Sequence, residues 1–507
     1  MNSIVKSLFI LVSLLFAFPV FSLDFPLPAT NYIPAKMPMY PVYPRPDAET
    51  QPHARHRWAH PLFRYEIPIG VQGGAWPFKY EIISGPSTAT IGGYYGDNNY
   101  GILTWTPSTT DPGNVSFHIR VTDQQLNTID FNWSVTIDTE HFVFIQDGWS
   151  GAKSGTINEP LEDWSDWYKG SVSDSTYQDK IIVFRGGEYT ISGDASFDGG
   201  NVALNGNKAT ALIGYPGEDP VIDCSSSIIV GTSSNADMFF ASIKYVNGRE
   251  DFINGRFFWM YGSPSRTVWW DNEFNTLSKG TIGQGNAAAV FLDDITNQTY
   301  NILYKGNMHD AINTYGGNNG AIFIMYNTFY VLIEDNIVKN SNTDYGIWAK
   351  ASKAYVTIRH NDMSENNSRS PIVVHYGDTP STPQNHSHEV CWNKVVIPYT
   401  DFNYSFLVMG DNPSNFNKNH ENTYFYRNTF VGGFPRVRYM GIEPYEFDGN
   451  VILSNRADAF SGSPSYPATF DTNLITSSVL NITGNSSSGI VDTNGNLSDS
   501  FRSEYLG

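Results

Sequence analysis

Hydrophobic and polar positions divide the chain into four regimes. Lys6 is followed by an unbroken apolar run from Ser7 to Phe21. Residues 23–62 are punctuated by prolines (PLPATNYIPAKMPMYPVYPRP) and show no periodicity, which predicts an extended leader or linker. Between 63 and 138, FRYEIPI, FKYEIIS, GILTWTP, VSFHIRVTD and FNWSVTID alternate apolar and polar residues between Gly, Pro and Asn turns. That pattern predicts short half-buried strands in a small β-sandwich. From His141 the pattern changes again. A strand over Phe142–Gln146 leads to a Gly/Ser loop, a short helix over about Pro160–Lys169, and a strand over Lys180–Arg185.

A repeat then emerges. VWWDNEF, ILYKGNM, VLIEDNI, VTIRHND, EVCWNKV, YFYRNTF and YEFDGNV are each an apolar strand ending at an asparagine. The asparagines are Asn272, Asn307, Asn336, Asn361, Asn393, Asn428 and Asn450, spaced by 35, 29, 25, 32, 35 and 22 residues. A bare solenoid coil needs roughly 20 residues, and loops absorb the excess, whereas a propeller blade needs roughly 40. The reading is a solenoid of parallel strands over 141–497, with an Asn at each bend tolerating left-handed geometry and hydrogen-bonding to the Asn of the next coil. The fold class expected is therefore all-β, a right-handed parallel β-helix preceded by a small β-sandwich domain.

Composition agrees: Gly (44), Tyr (30) and Phe (32) are abundant and charged residues make up only 16%, a mix that favours strands and turns. The opening apolar run is short for a membrane span, and Val20 and Ser22 fit a small-residue cleavage site. Residues 1–22 read as a signal peptide and the protein as secreted or periplasmic, monomeric and without a membrane anchor. The net charge of −19 disfavours nucleic acid as a partner. Cys224 and Cys391 would lie several coils apart, beyond disulfide reach, so both are expected free. No P-loop, GxGxxG or CxxC pattern occurs, and the GGNNG run near Gly316 lacks the Lys and helix of a phosphate cradle, so no nucleotide cofactor is indicated.

Candidate chemistry sits on the strands that precede the Asn strands. Their ends carry Asp293 and Asp294, Met325, Lys350, His375 and Met409. Lys350 lies 14 residues after Asn336 and His375 lies 14 after Asn361, which places the two in one column about 4.8 Å apart. The alternatives are a catalytic column or a polar, solvent-facing sheet. Asp344 and Arg369 each precede a column residue by six positions, and Trp348 and Tyr376 flank the pair as possible stacking platforms for sugar rings. A Lys or His base, an acid, and an Arg or calcium ion to neutralise a carboxylate together suit β-elimination on a uronic-acid chain.

The order GGAWPFKYEIISGP, YGILTWTP, GNVSFHIRVTD, FNWSVTI resembles the cadherin-like or Ig-like modules attached to secreted bacterial enzymes. It implies a spacer, with carbohydrate binding by Trp76 or Trp105 as the other reading. The segment from His141, with ALIGYPGEDPVID at 211–223, resembles the helix-capped first coil of right-handed β-helix proteins, whose commonest activity is on polysaccharides. DYGIWAKASKAYVTIRHND followed by VHYGD resembles the alginate lyase and chondroitinase B family. The resemblance implies Lys350 as the catalytic lysine and Asp344 as a calcium ligand. The family's arginine position falls on His375. The expected activity is a polysaccharide lyase acting on an acidic polysaccharide, with Lys350 and His375 catalytic and Arg369, Trp348 and Tyr376 binding substrate. The rival is an endo-glycoside hydrolase using Asp293, Asp294 or Asp310, the last beside His309. A glycan-binding adhesin is the third reading.

Overall fold

The computed structural model describes residues 32–45, 54–93, 97, 99–111, 113–167, 180–191, 202–204, 211–231, 237–250, 255–261, 265–278, 287–293, 299–314, 321–326, 328–350, 354–366, 368, 370–375, 387–397, 407–409, 423–432, 445–453, 468–471 and 474–475. The expected signal peptide lies outside them.

From Phe142 onward the chain winds as a right-handed parallel β-helix with three faces. One coil, for example, contributes Val268–Trp270 to the first face, Glu273–Ser278 to the second and Ala288–Asp293 to the third. Among the described residues the first face is a sheet of 12 parallel strands from Phe142–Ile145 to Ala468–Asp471. Parallel register stacks like on like inside: Tyr304, Ile333, Ile358 and Val390 pair in succession. All four are buried, each worth about 1.5–3 kcal/mol if fully removed from water. The open end of the first coil is covered by a helix that is described over Trp164–Trp167 and starts later than the expected Pro160. Asp163 starts it by accepting hydrogen bonds from the backbone N–H groups of Ser165 (2.7 Å) and Asp166 (3.1 Å). Trp164 stacks over Phe184 at 6.0 Å, so the first coil presents no bare apolar floor.

The asparagine repeat forms a continuous buried ladder. Nδ2 of Asn272, Asn307, Asn336, Asn361, Asn393 and Asn428 each donates to Oδ1 of the next, at 2.8–3.1 Å. The same Nδ2 groups reach back to a carbonyl of an earlier first-face strand, as Asn336 does to Tyr304 O at 3.0 Å. Each Oδ1 also accepts a backbone N–H, such as that of Asn307 at 2.9 Å. One expectation fails in an instructive way. The left-handed residue at each bend is the one before the asparagine: Asp271, Gly306, Asp335, His360, Trp392, Arg427 and Gly449, at φ of 55–67°. The strain is taken one position earlier, which leaves the Asn side chain aimed inward for the ladder.

The sandwich pairs a four-stranded sheet (Trp58–Ala59, Thr128–Ile137, Asn114–Thr122, Lys79–Ser84) with a three-stranded one (Tyr65–Pro68, Ile102–Trp105, Thr90–Ile91). It is no spacer. Its core is continuous with the outer side of the first face, where Phe144, Val183, Ile213, Phe239, Val268 and Leu303 meet Phe63, Ile67, Ile69 and Val71. Trp105 is 1% exposed inside the sandwich, and Trp76 is 2% exposed, packed 5.0 Å from Trp392, so neither ring is open to a sugar. The described part of the Pro-rich leader is extended but not a free linker. Ile33 packs on Cys391 and Tyr426, Lys36 pairs with Glu446 at 2.9 Å, Tyr40 stacks on Tyr330 at 3.9 Å, and Tyr43 lies 5.9 Å from Phe239. The segment is thus a strap running back along the first face. Its strand Tyr40–Tyr43 pairs with Gly70–Gln72, where a Cβ on Gly70 would stand 3.1 Å from Leu303. Cys224 and Cys391 are free and buried, as expected.

Asn336→Ala removes acceptors for two donors of Asn307 and leaves Tyr304 O without its side-chain donor. It should lower stability by about 3 kcal/mol or more in denaturant melting, whereas Asn132→Ala on the exposed sandwich surface should change it by less than about 0.5 kcal/mol.

Candidate active site

The third face brings the two leading sequence candidates together. Tyr345–Lys350 and Ser370–His375 are neighbouring parallel strands, and their register pairs Lys350 with His375 directly. One coil earlier Tyr326 pairs with Lys350, and Leu292 pairs with Met325, so Asp293 falls opposite Tyr326. The column therefore reads Tyr261, Asp293, Tyr326, Lys350, His375. Met325 and Met409 leave it: they pair with Ala349 and Val374 respectively, one position earlier, where Met325 belongs to the interior. Backbones in the column are about 4.8 Å apart, so Asp293 is about 10 Å from Lys350.

The surroundings differ from expectation. Trp348 shares a strand with Lys350, but it is 5% exposed, in an apolar cluster with Ala288, Phe291 and Val373, with its ring 4.3 Å from that of Tyr345. It supports the strand and is not an open stacking platform. Arg256 lies over Phe291 (4.4 Å) and Trp259 (4.7 Å) in the same patch. Asp344 is buried at the opposite end of the strand from Lys350, about 20 Å away along extended chain, so it does not reach over the pair. Among the described residues no three His, Cys, Asp or Glu side chains converge as a metal site. Asp294, Arg369 and Tyr376 lie outside the described residues.

The third carboxylate of the hydrolase reading is elsewhere. Asp310 is on the second face, in register between Asn275 and Lys339. It accepts a hydrogen bond from Asn340 Nδ2 at 2.9 Å and lies 3.9 Å from Lys339 Nζ. His309 points inward against Phe274 and Tyr304, and burial pushes its pKa down to about 3. It is a neutral core residue.

Sequence reasoning missed a second polar region, where the sandwich meets the coils. Lys305, Glu334 and Arg359 end successive first-face strands and are 4% exposed or less at their side chains. Glu334 accepts from Lys305 Nζ at 2.9 Å and from Arg359 at 2.7–2.8 Å. Arg359 also donates to Val71 O of the sandwich at 2.8 Å and lies over Phe78. Burial alone would depress the Lys305 ammonium, but Asp335 and Glu334 hold it above its ordinary range. Burial likewise opposes the charge on Asp335, and Lys305 and His360 outweigh it, so its carboxyl is held low. Above this cluster a groove of about 1430 Å³ opens between the sandwich and the bends of the coils. The clue in the sequence was the Lys, Glu and Arg just before successive ladder bends, at the ends of strands rich in apolar residues.

Compared with protein-family models, with curated proteins and with solved structures, the chain gives no match.

Glu389, paired with Thr357 on the first face, is fully buried and accepts from Tyr426 Oη at 2.8 Å. Burial, opposed by Arg359 and these hydrogen bonds, pushes its pKa up to about 7. Its ordinary value is about 4.3, so the folded chain holds the proton more tightly. The resulting stability is present below about pH 4.3 and is lost as pH rises through about 7, by roughly 4 kcal/mol in all. Glu389→Gln should flatten this slope in pH-dependent denaturant melts and be the more stable form at about pH 8.

Proposed function

We propose that this chain is a secreted polysaccharide lyase that cleaves a uronic-acid-containing glycan by β-elimination at Lys350 and His375. The reading is carried by one observation: two basic residues are direct register partners on one face of a parallel β-helix. An extended sugar chain lying across the coils meets both at once. Elimination asks for that pairing. Lys350, as the free amine, takes the proton α to the uronate carboxylate, and His375, as imidazolium, neutralises that carboxylate while negative charge builds on it. The carbon–oxygen bond β to the carboxylate then breaks, a carbon–carbon double bond forms, and the departing oxygen takes a proton from the lysyl ammonium or from water.

A second reading rests on Asp293, which occupies the same column two coils before Lys350. A carboxylate there suits hydrolysis of an acidic glycan, with water as nucleophile. Asp310 does not join it, being on another face.

Incubation with a panel of acidic polysaccharides, followed in the ultraviolet for the unsaturated uronate that only elimination makes, tests the proposal. Lys350→Ala and His375→Ala should each reduce the signal by about a hundredfold or more, and Asp310→Asn should leave it unchanged. New reducing ends without the ultraviolet signal, lost in Asp293→Asn, would establish hydrolysis instead.

A further inference from the structure

The groove between the sandwich and the coils has a regular floor. Ser242, Asp271, Gly306, Asp335 and His360 follow the last strand residue of five successive first-face strands. All five line the groove. Each backbone N–H bonds to the next coil, as Asp271 does to Lys305 O at 3.1 Å and Gly306 to Glu334 O at 2.9 Å. The floor is therefore a straight track about 19 Å long with one station every 4.8 Å or so. All five residues are left-handed, with φ of 54–67°. That geometry turns whatever they carry away from the apolar interior.

Three features describe what such a track would hold. Trp270, next to Asp271, is half-buried beside it. At the neighbouring station Gly306 carries no side chain, and a Cβ there would lie 3.8–4.0 Å from the Trp270 indole, so glycine keeps that edge of the ring uncovered. The second feature is the sandwich wall. Glu66, held by Arg64 at 3.0 Å, faces the floor, and the Asp271 charge is felt there. Asp271 is open to the groove and takes a hydrogen bond from Ser242 Oγ at 3.0 Å, yet crowding by the walls lifts its carboxyl above the usual range. The third is charge. Among the described residues the lining carries seven carboxylates against the three cations Arg64, Lys244 and Lys305, with Arg185 pairing Glu218 from behind, and so remains net negative. A polyanion is repelled there.

A linear ligand with flat apolar faces, many hydroxyl donors and no negative charge fits all three. We propose that this groove is a second glycan-binding site, distinct from the Lys350–His375 column, and that it takes an uncharged linear oligosaccharide, with one ring against Trp270 and hydroxyls donating to Asp271 and Glu66. Domain junctions are common places for such sites. The inference does not need the elimination chemistry, and it makes the sandwich one wall of a binding site as well as a cover.

The test is calorimetric titration of the full chain with oligosaccharides of cellulose, laminarin, xylan, mannan and agarose, beside oligogalacturonate and chitosan oligomers. At least one uncharged ligand should bind, and both Trp270→Ala and Asp271→Asn should weaken it about tenfold. Asp271→Asn keeps the shape and tolerates the left-handed bend, so it guards against loss by misfolding. Binding by no uncharged ligand, binding by the charged chains alone, or full affinity in Asp271→Asn would overturn the proposal. The readout is binding without bond cleavage. Elimination without groove binding sinks this inference alone, and groove binding without elimination sinks the lyase reading alone.

Discussion

The asparagine ladder is the interaction on which the rest of the molecule depends. A parallel coil could slide along its neighbour by two residues and still bury an apolar face, because strand alternation repeats every two positions. The ladder forbids this. Each Asn from 272 to 428 donates to the next Asn and to an earlier strand, and accepts a main-chain N–H, in a site closed to water. A slip would strand several buried donors and acceptors at once, at about 1–3 kcal/mol apiece. Register on the other two faces follows. The direct pairing of Lys350 with His375, and the column of left-handed stations in the groove, are both consequences of coils that cannot shift against one another.

The second constraint is that the first face is apolar on both sides. Ile145, Phe184 and Phe240 face the interior, while Phe144, Val183 and Phe239 face outward. A sheet of this kind needs cover on its second side. The sandwich and the strap provide it, and they share one core with the coils. The ions at the margin of that contact follow from the same geometry. Arg359 is buried where it meets both Glu334 of the coils and Val71 O of the sandwich, so the charge is tied to the docked arrangement. Such buried pairs add little net stability against an apolar alternative, but breaking one leaves a lone charge inside.

These constraints divide polar surface into two regions of different character. On the third face a basic pair stands in register beside a closed aromatic patch, and the proposed elimination rests on that pair. At the junction a groove rich in carboxylates follows the bends. The proposed functions separate by charge: one site for a uronate, one for neutral sugar. A polymer with both kinds of unit, or a matrix in which both occur, would meet both.

Much of this was legible in the chain. The spacing of Asn272 through Asn450, the apolar strands before them and the equal offsets of Lys350 and His375 are local facts, and parallel stacking converts offset along the chain into adjacency in space. What misled were inferences about direction and cover. Sequence placed the left-handed bend on the asparagine, but a residue whose side chain must point inward to a ladder is better served by a bend one position earlier. Asp344 seemed near Lys350 by count, yet six residues of extended strand are a distance, not a contact. Trp76 and Trp348 looked like platforms, and whether a ring is open depends on what lands on it from far along the chain. The sequence by itself determined the coil and the pairing of Lys350 with His375, because these are set by neighbours at fixed spacing, while Met325 and Met409 proved to be one position out of that column. Only the tertiary structure decided which face the sandwich and strap cover, which charges are thereby buried, and where a groove is left between them, because burial depends on surfaces that meet across hundreds of residues.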